Sequence, residues 1–368
     1  MLTTTATKTI GILGGGQLAR MLALAGIPLG LRFVTLDPAP DACAAEVSTH
    51  IAGDYGDREV LERFAGMVDI VTYEFENVPA ESVGYLSERL LVYPSPQALA
   101  VSRDRFTEKS LFVDLCIPTP KFLAVDTLDD LRRAVGEIGL PAVLKTRTLG
   151  YDGKGQSVIK SKREIDEAWA RAAGAPCILE AFVPFTREIS VVAVRGRDGG
   201  FSFYPVGENT HSGGILRHTV CRLGDPMQSA AEGLASRLLE RFDYVGVLAL
   251  ELFEAEGKLM ANEMAPRVHN TGHWSIEGAR TSQFENHVRA VAGLPLGGTS
   301  AACHSAMVNF IGSMPPASEV LSVDGARLHD YGKAPRAGRK LGHATVCGDG
   351  EEAVTAGLNR LLKLIGNS

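Results

Sequence analysis

Pro141-Ala142-Val143-Leu144-Lys145, followed five residues on by Gly150-Tyr151-Asp152-Gly153-Lys154-Gly155-Gln156, decides how this chain is read. The first run is an apolar strand that ends in a lysine. The second carries three glycines in six residues, too much backbone entropy for a stable helix or strand. A loop of that kind beside an inward lysine suits a lid whose amides and Lys154 cover a polyphosphate. It is not a P-loop, because Lys154 is followed by Gly155 rather than Ser or Thr. The plainer alternative for the loop taken alone is a mobile hairpin turn.

Toward the C-terminus, Val247-Leu248-Ala249-Leu250-Glu251-Leu252-Phe253 is a strand apolar on both faces and interrupted by one carboxylate. Glu254-Ala255-Glu256-Gly257-Lys258 reads as a turn and Leu259-Met260-Ala261-Asn262-Glu263-Met264 as the returning strand. Centring this hairpin on Gly257 sets Glu251 directly opposite Glu263 on one face. Two like charges at that spacing repel, and burying either one unpaired is costly. A divalent cation resolves both problems. Two carboxylates, completed by phosphates and water, describe a magnesium–nucleotide site. The plainer alternative is a solvent-facing pair on an edge hairpin.

Toward the N-terminus, Thr9–Leu13, Leu31–Leu36 and Val68–Tyr73 read as strands, with helices over Gln17–Ala25 and Arg58–Phe64. This alternation implies a parallel sheet covered by helices. Gly14-Gly15-Gly16-Gln17-Leu18-Ala19 fits the dinucleotide fingerprint, with Asp37 ending the next strand. The glycines announce a close backbone approach. NAD or FAD, another phosphate ligand, and tight packing alone all remain open from this segment. Tyr93-Pro94-Ser95-Pro96 breaks the pattern, which places a boundary near residue 100. A smaller unit follows, with helices over Ser102–Cys116, Leu128–Ile138 and Ser161–Ala173 and strands at Ala142–Lys145 and Ile178–Ala181. Long strands then begin at Ile189.

The 368 residues allow two or three domains, and the 45% hydrophobic content is enough for sizeable cores. With 37 basic against 43 acidic residues, the net charge of −6 argues against general nucleic-acid binding. No apolar run reaches the roughly 20 residues of a membrane span, and the N-terminus lacks a signal peptide's pattern. The six cysteines lie far apart without a CxxC pair, which fits reduced thiols in a cytoplasm.

Taken in order, these motifs resemble the ATP-grasp enzymes, and most closely the 5-(carboxyamino)imidazole ribonucleotide synthase family. The likeness runs over nearly the whole chain. It adds Thr72-Tyr73-Glu74-Phe75-Glu76-Asn77-Val78, Phe182-Val183-Pro184-Phe185, Asn262-Glu263-Met264-Ala265-Pro266-Arg267, His269-Asn270-Thr271-Gly272-His273-Trp274 and Tyr331-Gly332-Lys333 to the segments above. Val268 and Ala19 depart from the family pattern without removing a charged group.

The resemblance implies an α/β chain, α+β in its C-terminal part, in three domains. Residues 1–100 would form a Rossmann-like parallel sheet and 101–185 a small central lid domain. Residues 186–368 would form a C-terminal domain with a largely antiparallel sheet and a small terminal subdomain. ATP, with Mg²⁺ or Mn²⁺, would lie between the last two. Arg105 and Lys145 would contact phosphates, and Gly150, Tyr151, Asp152, Gly153, Lys154, Gly155 and Gln156 would close over them. Glu180, Ala181, Phe182 and Val183 would edge the adenine. Glu188 would accept from the ribose, with His211 nearby. Glu251 and Glu263 would hold the metal, with Asn262 alongside. Gly16, Gln17 and Leu18 would meet the phosphate side of a ribonucleotide, and Glu76, Arg267, His269 and Asn270 would face it. Lys333, Arg339 and Lys340 would clamp its phosphate.

The implied reaction carboxylates an aminoimidazole ribonucleotide with bicarbonate and ATP. Lys145, Lys154 and Arg267 would stabilise the transferring phosphoryl group, and Arg267 would orient the bicarbonate. His269, Tyr151, Asp152 and phosphate itself are the candidates for accepting the amine's proton. The partners implied are these small molecules and a second copy of the chain in a homodimer, with neither nucleic acid nor membrane. The nearest rival is a formate-dependent glycinamide ribonucleotide transformylase, against which Asn270, His273 and Trp274 count. An NAD-dependent dehydrogenase explains residues 10–37 only. A nucleotide-binding regulator without turnover leaves the glutamate pair and Arg267 unused.

Overall fold

Thr9–Leu13 is apolar on both faces, and a strand of that kind needs cover on both sides. In the computed structural model, which describes residues 7–150 and 155–366, it is the middle of a five-stranded parallel sheet. The order is Thr49–Ala52, Arg32–Asp37, Thr9–Leu13, Ile70–Tyr73, Leu91–Val92. The helix Gln17–Gly26 covers one face and packs on a helix of the C-terminal part, Gln283–Ala292. On the other face Leu61 and Phe64 of the helix Arg58–Ala65 join Leu13, Val34 and Leu36 in a second apolar cluster.

The glycine-loop segment belongs to a four-stranded antiparallel sheet ordered Phe122–Val125, Cys177–Ala181, Ala142–Thr146, Gln156–Ile159. Side chains alternate across a strand, so Ala142 and Leu144 turn to the helices Leu128–Ile138 and Ile165–Ala172. Val143 and Lys145 turn the other way, into a cleft, together with Glu180, the pairing partner of Val143. This alternation carries the lysine to the nucleotide side.

The third sheet is antiparallel with nine strands. Its path is Lys258–Ala265, Gly246–Ala255, Arg187–Arg195, Gly207–Ser212, Ile215–Cys221, His304–Ile311, Lys340–Gly348, Ala326–Asp330, and Phe201–Phe203 pairs off the path. The hairpin turn is tighter than a Gly257 centre implies. Glu256 and Gly257, both at positive φ, form a two-residue connection that pairs Ala255 with Lys258. Carried on regularly, that register would set Glu251 against Asn262. A bulge between Glu251 and Leu252 absorbs one residue of the facing strand and restores the Glu251–Glu263 pair. The expected pairing holds, but through the bulge rather than through the turn.

The helix expected over Ser102–Cys116 is Arg105–Asp114, and a separate helix, Pro96–Ser102, precedes it. Asp104 sets the later start by capping it, its carboxylate accepting from Phe106 N (2.9 Å) and Thr107 N (3.0 Å). Arg105 therefore opens a helix, and Leu111, Phe112 and Ile117 pack into the core of the large sheet. A buried histidine ties the parallel sheet to the large one. His287 Nδ1 accepts from Val247 N (3.1 Å), so in the neutral ring Nε2 carries the proton toward Thr72 Oγ1 (2.8 Å). Among the described residues no helix is long and apolar enough to cross a membrane.

Candidate active site

Between the four-stranded sheet and the large sheet lies a cleft of about 360 Å³. Lys145 Nζ donates to Glu180 Oε2 (3.0 Å) and to Asn262 Oδ1 (3.5 Å). Glu180 is 2% exposed. Burial alone would raise its carboxyl, but Lys145 and then Lys109 hold it below the ordinary range. Its Oε1 is buried without a partner. At the far end His211 Nδ1 pairs with Glu188. Burial works against protonating His211, but that hydrogen bond together with the charges of Glu251, Glu188 and Glu263 outweighs it and raises the pKa. Ala181, Phe182 and Val183 complete the edge.

The hairpin supplies the acidic floor. A bulge re-aims neighbouring side chains, and here the adjacent residues Asn262 and Glu263 both line this cleft with Glu251. Arg105 Nη1 donates to Glu263 Oε2 at 2.8 Å. Burial and the charge of Glu263 push the Glu251 carboxyl up, whereas Arg105 overrides burial and holds Glu263 down. Arg105 bonds Glu263 rather than Glu251; Lys145 and Lys109 add to its hold on Glu263, and His211 and Lys340 partly offset the rise at Glu251 through charge. Among the described residues no group of three or more His, Cys, Asp or Glu side chains forms a metal cage. Two carboxylates and an amide oxygen fit a hard cation whose remaining ligands come from phosphates and water.

A second cleft, about 430 Å³, opens toward the parallel sheet and is lined by Gln17, Leu18, Glu74, Glu76, Arg147 and Arg267, among others. Arg267 pairs with Glu76 and donates from Nη1 to Val268 O at 3.0 Å. Its Nε is buried without a partner. His269 Nδ1 lies 3.4 Å from Thr271 N and 3.0 Å from Thr271 Oγ1, which puts the neutral ring's proton on Nε2. Burial first, then the charge of Arg267, keeps that ring neutral. Arg105, Glu263, His269, Asn270 and Lys340 line both clefts. Two pockets, one bounded by lysine and carboxylates and the other by arginines, therefore meet at one junction.

The chain matches the ribonucleotide synthetase preATP-grasp domain over residues 7–103 and the ATP-grasp domain over 110–284. Over 305–357 it matches the phosphoribosylaminoimidazole carboxylase C-terminal domain. It is 59% identical to the N5-carboxyaminoimidazole ribonucleotide synthase of Pseudomonas aeruginosa, over 92% of this chain and 95% of that one. The chain belongs to the N5-carboxyaminoimidazole ribonucleotide synthase family. The crystal structure of the Thermus thermophilus synthetase superposes with a TM-score of 0.92 at 54% identity, covering 97% of this chain and 98% of that one. The Aspergillus clavatus synthase, solved with ADP and 5-aminoimidazole ribonucleotide, superposes with a TM-score of 0.92 at 29% identity, covering 98% and 99%.

Within this family's frame the glycine turn is not a dinucleotide cradle. The Glu74 carboxylate accepts from the amides of Gly16 and Ala19 and fills the N-terminus of the helix where a pyrophosphate would sit. A Cβ on Gly14 would stand 2.4 Å from Glu74 Cγ and one on Gly16 2.4 Å from Glu74 Oε1, so these glycines make room for Glu74. Asp37, the ribose ligand of the dehydrogenase reading, accepts instead from Gly15 N, Ala39 N and Tyr55 OH. Gly16, expected at the phosphate side of the ribonucleotide, gives its amide to Glu74, while Gln17 and Leu18 line the cleft.

Of the other expected residues, Gly150 lies in the second cleft, where its carbonyl accepts from Arg105 Nη2 (3.4 Å), and Gln156 lies in the first. Gly155 packs on Thr146. Tyr151, Asp152, Gly153 and Lys154 lie outside the described residues. Of the basic clamp, Lys340 lines both clefts and Lys333 reaches the second through Gln17 Oε1. Arg339 turns to Ala334 O (3.1 Å). Sequence reasoning missed Glu74, Lys109 and Asn309. Lys109, 1% exposed, joins Glu180 to Ala261 O (3.0 Å) and Thr119 Oγ1 (3.0 Å). The signal for Lys109 was a lysine four residues after Arg105 on one helix. For Asn309 it was one polar residue in the apolar run Ala306–Ile311.

Proposed function

We propose that this protein joins bicarbonate to the exocyclic amine of 5-aminoimidazole ribonucleotide at the expense of ATP, releasing ADP and phosphate. The observation that carries the reading is the junction, where an ATP-type cleft and an arginine-lined cleft share Arg105, Glu263, His269, Asn270 and Lys340. Phosphoryl transfer needs positioning and charge neutralisation more than covalent chemistry from the protein.

Lys145 and Arg105 neutralise the phosphates, and Ala181, Phe182 and Val183 edge the base. The Glu188–His211 pair faces the ribose hydroxyls. Glu251 and Glu263, with Asn262, would hold Mg²⁺, which when bound supplies charge stabilisation at the transferring phosphoryl group. Bicarbonate is a poor electrophile because its leaving group is an anionic oxygen, and phosphorylation turns that oxygen into phosphate. Arg267, held by Glu76 and Val268 O, lines the cleft and offers its guanidinium charge to the oxyanion. Lys333 and Lys340 face the ribonucleotide's phosphate, with Gln17 between the clamp and the sugar. His269, with its proton on Nε2, is arranged as a donor, which leaves phosphate the better acceptor for the amine's proton.

The test is ADP release with Mg-ATP and bicarbonate, with and without 5-aminoimidazole ribonucleotide, beside a parallel assay with glycinamide ribonucleotide and formate. Strong stimulation by the aminoimidazole alone is expected. Stimulation by the formate pair alone would move the protein to the transformylase branch. We also infer a homodimer in a reducing cytoplasm, which six unpaired cysteines suit. Light scattering that gave a monomer at micromolar concentration would remove the dimer.

A further inference from the structure

Asn309 lies in the strand His304–Ile311, is 1% exposed and does not itself line either cleft. A buried carboxamide in an apolar strand has to be answered by partners. Its Nδ2 donates to Leu216 O (3.0 Å) and to Asn270 Oδ1 (2.7 Å), and its Oδ1 accepts from Asn270 Nδ2 (3.0 Å). The amide edges of asparagine are usually ambiguous, but here a backbone carbonyl removes the ambiguity. Leu216 O can only accept, so the edge of Asn309 that faces it must be the NH₂ group. Asn309 then offers Asn270 one donor and one acceptor side by side. Both are answered by a carboxamide and not by an ionised carboxylate, which carries acceptors alone.

We infer that Asn309 is a positioning residue that locks the Asn270 amide in one orientation and so makes the junction of the two clefts demand a neutral amide at position 270. A carboxylate there would set an oxygen against Asn309 Oδ1. Asn309 cannot turn to relieve it, because turning would oppose its own oxygen to Leu216 O. Locked in this way, Asn270 keeps one N–H and one oxygen lone pair unspent, on a side chain that lines both clefts. The N–H suits an oxygen of bicarbonate or carboxyphosphate, and the C=O suits an N–H of an uncharged aromatic amine. Those are the two groups that must meet, so the inference rests on the proposed carboxylation.

The experiment is steady-state kinetics on Asn270→Ala, Asn270→Asp, Asn309→Ala and the two double variants, with ADP binding measured by calorimetry. Asn309→Ala should lower kcat/KM for the aminoimidazole ribonucleotide roughly 10- to 100-fold, the scale of a misoriented contact. KM for ATP and ADP affinity should change less than about twofold. Adding Asn270→Ala to Asn309→Ala should cost nothing beyond Asn270→Ala alone, since one acts through the other. With Asn309 intact, Asn270→Asp should fall at least about tenfold below Asn270→Ala, and without Asn309 that gap should close.

Losses that multiply in the Ala–Ala double variant would overturn the lock. So would equal activities of Asn270→Asp and Asn270→Ala with Asn309 intact, a comparison that decides even if Asn309→Ala fails to fold. A wild-type protein that released no ADP with the aminoimidazole would instead overturn the reaction. The lock would then be read from the Asn270 side-chain amide by NMR. Slow exchange in the wild type and fast exchange in Asn309→Ala would support it, and equal exchange in both would overturn it.

Discussion

Arg267 enters its cleft with donors spent on Glu76 and Val268 O. A lysine keeps the charge and loses the fork. Arg267→Lys is therefore expected to lower carboxylation at least about 100-fold while ADP affinity, set in the other cleft, stays within about twofold. Parallel assay and calorimetry check it, and unchanged turnover would remove Arg267 from the oxyanion role. Glu74 is a residue of another kind, serving structure beside the substrate. Glu74→Ala strands the amides of Gly16 and Ala19 in a buried place and should cost about 2–4 kcal/mol in urea unfolding. A loss under 1 kcal/mol would mean that water replaces the carboxylate. Glu74 was legible only as part of a family motif, because the glycine turn by itself advertises space and does not say what fills it.

At the scale of elements, the hairpin shows how far periodicity goes. Alternation and the apolar run around Glu251 made the glutamate pair readable, but the bulge that aligns it was hidden, because a one-residue register shift leaves no mark in composition. Deleting Asn262 should keep every remaining pair of the hairpin aligned, and so the fold, while removing the amide beside Lys145 and raising KM for ATP about tenfold, the worth of one hydrogen bond. An insoluble deletion variant would show that the bulge itself is needed to fold.

The tie made by His287 predicts a pH effect. Burial pushes its pKa down from the ordinary 6.5 to about 3. Between those values the unfolded chain binds a proton that the folded chain refuses, so this stability is complete above pH 6.5 and is lost as pH falls toward 3. In His287→Gln the pH slope of unfolding free energy from pH 6 to 5 should be shallower by about 1.4 kcal/mol per unit. An unchanged slope, from urea melts at several pH values, would mean that the ring ionises in place.

For the whole molecule, the functional fact is that residues from distant parts of the chain close one junction, Arg105 from a helix, Glu263 and Asn270 near the hairpin, and Lys340 from a late strand. Because Arg105 bonds Glu263 rather than Glu251, nucleotide should stabilise the fold together with magnesium. At 100-fold over its Kd, Mg-ADP should add about 2.7 kcal/mol, and ADP with a chelator far less. Equal melting temperatures in the two mixtures would remove Glu251 and Glu263 as the metal site. By itself the sequence determined the parallel and antiparallel units, the inward Lys145, the opposed glutamates and the family, because these rest on local period, turn chemistry and motif order. Tertiary structure alone decided that Glu74 fills the glycine turn, that Lys109 braces Glu180 and that Asn309 fixes Asn270. Those contacts join residues 55 to 71 positions apart or, for Asn270 and Asn309, 39 positions apart between a short helical turn and a strand. No local pattern encodes them, since each depends on which buried polar atoms the packed sheets bring face to face.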